Sequence, residues 1–269
     1  MNSSYKKITS KCFVNVPWYE LKEKYLDFVL TNNIQPEIGL EGECLYNEDL
    51  SEFQKISDLL QKHRLSCTLH APFFDLAPGG LDPIILEKSR AKLRLAFELL
   101  DIFKPQSIVC HLQFEESKQG YIFDQWFDTA IQTWSGFVEY SGKRNIPLML
   151  ENTYENTPRA HKAILTRLNS SYGRFCLDVG HLMAFAKSDW HNWLPELSPW
   201  LGQLHLHDNH GDNDTHMAPG RGNFDFHSLF NYLQKNNLNP LITLEPHSQK
   251  DLEMSFSYLA ETGLLDNIC

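Results

Sequence analysis

Residues 203–208 read QLHLHD and residues 241–246 read LITLEP. In both, an aliphatic residue alternates with a polar one over a short run, the period expected of a β-strand with one face in an apolar layer. Leu204 and Leu206, like Ile242 and Leu244, then face that layer, while His205 and Glu245 point the opposite way. Six earlier segments have the same length and character: KCFVNV (11–16), PEIGLE (36–41), SCTLHAP (66–72), SIVCHL (107–112), PLMLEN (147–152) and RFCLDVG (174–180). Between them lie stretches with helical spacing, in which Leu93, Ala96, Phe97 and Leu100 share one face, as do Phe226, Leu229, Phe230 and Leu233. Strands alternating with helices predict a parallel α/β fold. Eight such units in 269 residues fit one (β/α)8 TIM barrel, a fold that takes about 250 residues. No linker divides the chain, so residues 1–269 are expected to form a single domain. The alternative, a doubly wound open sheet, lacks support because no GxGxxG turn follows the first strand.

In a closed barrel the parity that sends Leu148 and Leu150 to the helices sends Glu151 to the axis, and the same rule turns His70, His111, Asp178, His205 and Glu245 inward. All lie near strand ends, where barrel enzymes place their chemistry. A lone inward histidine is commonly a hydrogen-bonded core residue, but six such groups on six consecutive strands would each lose hydration at a high cost. Either a salt-bridge network or a metal removes that cost. Histidine mixed with carboxylate, without cysteine, suits zinc, manganese or ferrous iron. Two loops extend the set: LDVGH (177–181) adds His181, and HLHDNHGDNDTHMAPGRG (205–222) adds Asp214 and His216, whose D-x-H spacing puts two side chains on one side of an extended segment.

Composition narrows the function classes. A hydrophobic content of 42% with no long apolar run excludes a membrane-spanning helix, and the lysine-bearing N-terminus has no signal-peptide core, so a cytoplasmic location is expected. The six cysteines are scattered without CxxC spacing, and Cys67, Cys110 and Cys176 fall in apolar runs, as buried thiols do. A formal net charge of −10 weighs against DNA as a partner, since lysine and arginine supply most of that affinity.

The motifs LHAPF, VCHLQ, LENT, LDVGH, HLHDN, DTHMAPGRG and LEP, in this order, resemble the xylose isomerase-like barrel superfamily. That superfamily holds sugar isomerases and epimerases as well as phosphodiesterases of the endonuclease IV type (AP endonuclease family 2). The resemblance covers strands 3 to 8. For the sugar branch it implies one ion, often manganese, held by Glu151, Asp178, His205 and Glu245. For the endonuclease branch it implies two or three zinc ions, with His70, His111 and Glu151 on the first, Glu151, Asp178, His205 and Glu245 on the second, and His181, Asp214 and His216 on the third. The Ala-Pro-Phe-Phe stretch after His70 and the Gly-Arg-Gly turn at 220–222 depart from the endonuclease pattern and count against DNA.

The main expectation is a multinuclear phosphoester hydrolase acting on a small phosphorylated or sugar-containing substrate, because His70, His111, Asp214 and His216 have no task in a one-metal proton shuttle. Glu151 would orient a metal-activated water and Arg221 would hold a phosphate. The alternative is a sugar or sugar-phosphate isomerase or epimerase with Glu151 and Glu245 as acid and base, and with His181 and Arg221 binding substrate oxygens. A barrel that binds without turnover has no need of so many strong ligands. Phe73 is a candidate for stacking on substrate, against the common role of packing under a loop. Glu37 and Glu41 share the inward parity of strand 2 and are candidates for substrate contact. Asp208 is a candidate partner for orienting a ligand histidine, and His207 and His210 have no assigned role. His161, His191, His227 and His247 are read as core or surface residues, and Trp126 and Trp134 as packing between helix and barrel.

Overall fold

A computed structural model describes residues 3–267, which leaves Cys269 outside the described residues. Eight parallel strands close on themselves in sequence order: β1 (Phe13–Pro17), β2 (Gln35–Gly39), β3 (Thr68–His70), β4 (Ile108–His111), β5 (Leu148–Glu151), β6 (Gly173–Asp178), β7 (Leu201–Leu206) and β8 (Leu241–Leu244). Helices connect them, so the fold is the (β/α)8 barrel expected from the alternation. Each strand overlaps its sequence segment, with β7 beginning and ending two residues earlier than 203–208, and β3 is only three residues long. Ala71 and Pro72 continue past it, because the Pro72 ring has no N–H to add to the ladder.

The alternation within the strands sorts two layers. Leu148, Leu150, Leu204, Leu206, Ile242 and Leu244 are buried in the large apolar layer between barrel and helices. From the helices come Leu93, Ala96 and Phe97 of Pro83–Glu98, and Phe226, Leu229, Phe230 and Leu233 of Phe226–Lys235. Leu100 joins them from a separate short helix, Leu100–Phe103. Trp126 and Trp134 pack inward from Phe123–Gly142, also as read. The opposite parity fills the barrel itself. Val109, Met149 and Cys176 form a small apolar plug, and beside it Glu37, Thr68, Gln203 and Thr243 make a hydrogen-bonded polar layer. The next inward position along each strand lies at the C-terminal mouth.

Capping fixes where several helices begin. Asp82 accepts from the Ile84 and Ile85 amides with Pro83 in the first turn, and Asp49, Asp225 and Ser248 cap their helices in the same manner. The five described cysteines are free and buried. Among the described residues no helix is long and apolar enough to cross a membrane.

Candidate metal centre

Register brings the ligand candidates to one level. His111 pairs with Glu151 across β4 and β5, and Asp178 with His205 across β6 and β7. His70 ends β3, Glu245 follows β8, and His181 comes one turn after Asp178, whose carboxylate accepts the His181 amide at 2.7 Å. The result is a set of overlapping groups whose ligand atoms lie within 4.8 Å of one another: His70, His111 and Glu151; Glu151, Asp178 and His205; His70, His205 and Glu245; Asp178, His207 and Glu245; and His181, His207, Asp214 and His216. All nine metal candidates from the sequence meet here, and His207 joins them.

His205 stands at the centre. Its Nε2 lies 3.2 Å from the buried Glu37 carboxylate, which also accepts from Thr68, Gln203 and Thr243. Glu37 is held below the usual carboxylate range: burial would raise it, but His205 outweighs that. An ionised Glu37 accepts the Nε2–H, so Nδ1 offers a lone pair whenever the ring is neutral. That Nδ1 faces three carboxylates, Glu245 at 3.0 Å, Glu151 at 3.5 Å and Asp178 at 3.8 Å. The sequence reading of Glu37 as a substrate contact is therefore corrected: it lies one layer below the mouth and fixes the tautomer of His205, as outer-sphere carboxylates do at metal sites.

Histidine nitrogens lie close to both oxygens of Glu151. Oε2 lies 3.1 Å from His70 Nε2 and 3.3 Å from His111 Nε2, and Oε1 lies 3.1 Å from His181 Nδ1. His70 donates its Nδ1 proton to the Ala71 carbonyl, so its Nε2 faces Glu151 as a lone pair when the ring is neutral. Burial would raise Glu151 and Glu245, but neighbouring histidines, His111 and His205 for Glu151 and His205 and His216 for Glu245, hold both as anions. Phe73 stacks on His111 with centroids 4.5 Å apart and stands edge-on to His70, which places it against the cluster.

These contacts leave a specific deficit. Glu151 Oε1, His205 Nδ1, His207 Nδ1 and Asp214 Oδ1 are buried without a hydrogen-bond partner among the described residues. Buried polar atoms are seldom left so. Lone pairs aimed at lone pairs are satisfied by a cation, and nitrogen and oxygen donors at this spacing fit a divalent one.

The loop after β7 is built around Asp208, which accepts from the amides of Asn209, Gly220, Gly222 and Phe224, while its backbone pairs with Met217. Asp208 thus organises the loop and does not orient a histidine. Gly222 is required by this clamp, since a Cβ there would sit 2.2 Å from the Asn209 carbonyl oxygen. The loop returns Asp214 and His216 to the mouth, with His216 in the left-handed region at φ 47, uncommon for a non-glycine residue and tolerated at functional sites. Arg221 is different: it is exposed and takes no part in the ligand groups. His210, His191 and His227 are exposed, and His161 is buried in the core, where burial lowers it to about 4. His247, also exposed, stacks on His216 at 4.0 Å. Glu41 is partly buried at the start of helix Gly42–Asn47 and takes no part in the ligand groups.

His207 was legible in principle. It shares the parity of His205 two residues on, so the inward rule applied to H-x-H reaches both. It escaped because it lies just past β7, where strand parity no longer binds.

A family model described as xylose isomerase-like TIM barrel matches residues 37–262, and the chain belongs to that family. An uncharacterised protein of Methanocaldococcus jannaschii is 24% identical over 220 residues, covering 77% of this chain and 73% of its own. A solved D-tagatose 3-epimerase-like protein superposes with a TM-score of 0.81 at 21% identity, over 95% of this chain and 97% of the other. A D-psicose 3-epimerase solved with D-fructose gives 0.73 at 12% identity, over 96% and 99%. At these identities the structural likeness is one of fold.

Proposed function

We propose that this chain is a divalent-metal-dependent isomerase or epimerase of a small sugar or sugar phosphate. The carrying observation is His205 Nδ1, an unpartnered donor atom with Glu245, Glu151 and Asp178 around it within 3.8 Å. That set supports one ion held by Glu151, Asp178, His205 and Glu245, which would polarise a carbonyl and the neighbouring hydroxyl. The sugar epimerases among the structural neighbours support this chemistry over hydrolysis. So do Ala71-Pro72-Phe73-Phe74 and Gly220-Arg221-Gly222, the two departures from the endonuclease pattern.

In this reading Glu151 and Glu245 flank the substrate carbon. One of them, as the carboxylate, would take a proton from the carbon next to the carbonyl, while the other, entering the step as the protonated acid, would return one to the opposite face of that carbon. His70 and His111 hold Glu151 from one side, which aims its free oxygen. Phe73, stacked on His111, would supply an apolar wall, and the exposed Arg221 would meet a distal phosphate or hydroxyl. The five free cysteines support a reducing, cytoplasmic setting.

The test is proton exchange. With manganese or zinc, a panel of ketoses and their phosphates in deuterium oxide is expected to gain deuterium at the carbon next to the carbonyl, read by NMR. Glu151→Gln and Glu245→Gln are each expected to lower that rate by about 10²–10⁴-fold. No exchange across the panel would overturn the reading. A second reading, phosphoester hydrolysis by a multinuclear centre, draws on the separate His70, His111 and Glu151 group. Metal-dependent release from a phosphodiester panel without carbon exchange would favour it.

A further inference from the structure

The barrel wall is interrupted at the mouth between β1 and β8. Pairing between these strands stops at Val14 with Leu244, although β1 goes on along β2 to Pro17 and the Glu245 amide still donates to the Leu206 carbonyl of β7. Each edge is thus held by its other neighbour, and neither Pro17 nor Pro246 has an N–H with which to extend the ladder across. Beyond Val14 the two strands border a gap.

A cavity of about 60 Å³ occupies that gap and runs outward into the layer between barrel and helices. Its two ends differ in chemistry. The buried part is aliphatic: Val14 and Val16 of β1, Val29 of helix Leu26–Asn32, Ile34, and Leu252 of helix Gln249–Thr262. The part toward solvent carries Glu20, His247 and Gln249, all exposed. Protein interiors are close-packed, and a void lined by aliphatic groups stays dry and forgoes the contacts that a filling group would supply. Size selects among fillers. A volume of about 60 Å³ exceeds the roughly 10–15 Å³ that admits one water but falls well short of about 150 Å³, which takes a benzene ring. A methyl or ethyl group fits, and an aromatic ring does not.

Two lining residues connect the cavity to the metal centre. Asn15 Nδ2 donates to Glu37 Oε1 at 3.3 Å, beneath His205, and the His247 ring stacks on His216, whose Nδ1 lies 3.1 Å from the Glu245 carbonyl. Pro246, which directly follows Glu245, lines the cavity too. A sugar whose carbonyl sits between Glu151 and Glu245 therefore has the gap beside one of its flanks.

We propose that this cavity is a specificity subsite, which takes a terminal methyl or other short alkyl group of the sugar and so selects deoxyketoses over their fully hydroxylated counterparts. A methyl in the gap fills the void, whereas a hydroxyl carried to the same depth gives up water and meets only aliphatic side chains. Discrimination of about 10–100-fold is the scale that such a pocket provides. The inference rests on the reading of the substrate as a small sugar, and it adds which sugars.

The test has a physical and a chemical arm. Xenon, a small apolar probe, is expected between Val14, Val29 and Leu252 in a crystal of the metal-loaded protein held under xenon pressure. Dissociation constants are then measured by calorimetry on the manganese-loaded protein for L-rhamnulose against L-fructose and for L-fuculose against L-tagatose, pairs that differ only in the 6-hydroxyl. Val14→Ile and Val29→Ile, singly and together, each add one methyl to the void. Loss of the hydroxyl also changes the ring forms a ketose adopts, so the deciding quantity is the deoxy preference of wild type divided by that of the filled variants. A ratio of about 10 or more, with xenon displaced from the variants, is expected. A cavity that stays empty under xenon would overturn the proposal on wild-type protein alone, and so would a ratio near unity in variants that have lost the xenon. Absence of binding by every ketose would overturn the subsite and the sugar reading together. A deoxy preference that depends on the cavity, without carbon exchange, would count against the isomerase reading alone.

Discussion

The single carboxylate of Asp208 takes four backbone amides and thereby shapes the loop that returns Asp214 and His216 to the mouth. Hydrogen bonds to a charged acceptor are individually strong, and a buried amide left without one carries its own penalty. Asp208→Ala is expected to lower unfolding free energy by about 3 kcal/mol in urea titrations and to lower zinc content as the loop loosens. His216 shows what the cluster does without metal. Burial alone would lower its pKa, but the Asp214 hydrogen bond and the Glu245 charge raise it from 6.5 to about 9. A histidine raised on folding stabilises the fold fully below its unfolded value, and that contribution fades as pH rises through the folded one. Metal-stripped protein is therefore expected to lose stability between pH 6.5 and about 9. Zinc competes for the same nitrogens, so adding it at neutral pH should release protons, detectable with an indicator dye in weak buffer. A melting profile of the stripped protein that is flat over that range would contradict this account.

The strands were the most legible part of the molecule, and the reason is steric. On β7, Leu204 and Leu206 cannot reach the helices without sending Gln203 and His205 to the axis, so one alternating run discloses both a packing face and a chemical face. The same logic carried His70, His111, Glu151 and Asp178 to the mouth. It carried Glu37 inward as well, but periodicity gives a face and not a depth, and depth separates a substrate contact from a support beneath His205. Past the strand ends the rule lapses. His207 and Asp208 depend on where a loop folds back, which is decided by the amides of Gly220, Gly222 and Phe224 far along the chain. Arg221, singled out within the Gly-Arg-Gly turn, is exposed and stands outside the ligand groups for the same reason. The packing face has its own consequence. Leu204 is fully buried between barrel and helices, and Leu204→Ala is expected to cost about 3 kcal/mol by leaving a cavity, measured by thermal or urea unfolding.

Taken as a whole, the barrel has one seam where the chain's ends must find each other. β1 meets β8 through only two residue pairs, Phe13 with Thr243 and Val14 with Leu244, whereas β1 meets β2 through five. Glu245, which supplies the last carboxylate to His205, is the residue immediately after that short contact. The ligands are drawn from positions 70 to 245, so no partial chain presents them together. An ion is thus a late arrival in the life of the molecule, bound only once the final strand is home. It then acts as a rivet beside one of the two shortest joins of the cylinder, and any breathing of that join is at once a route by which the ion can leave.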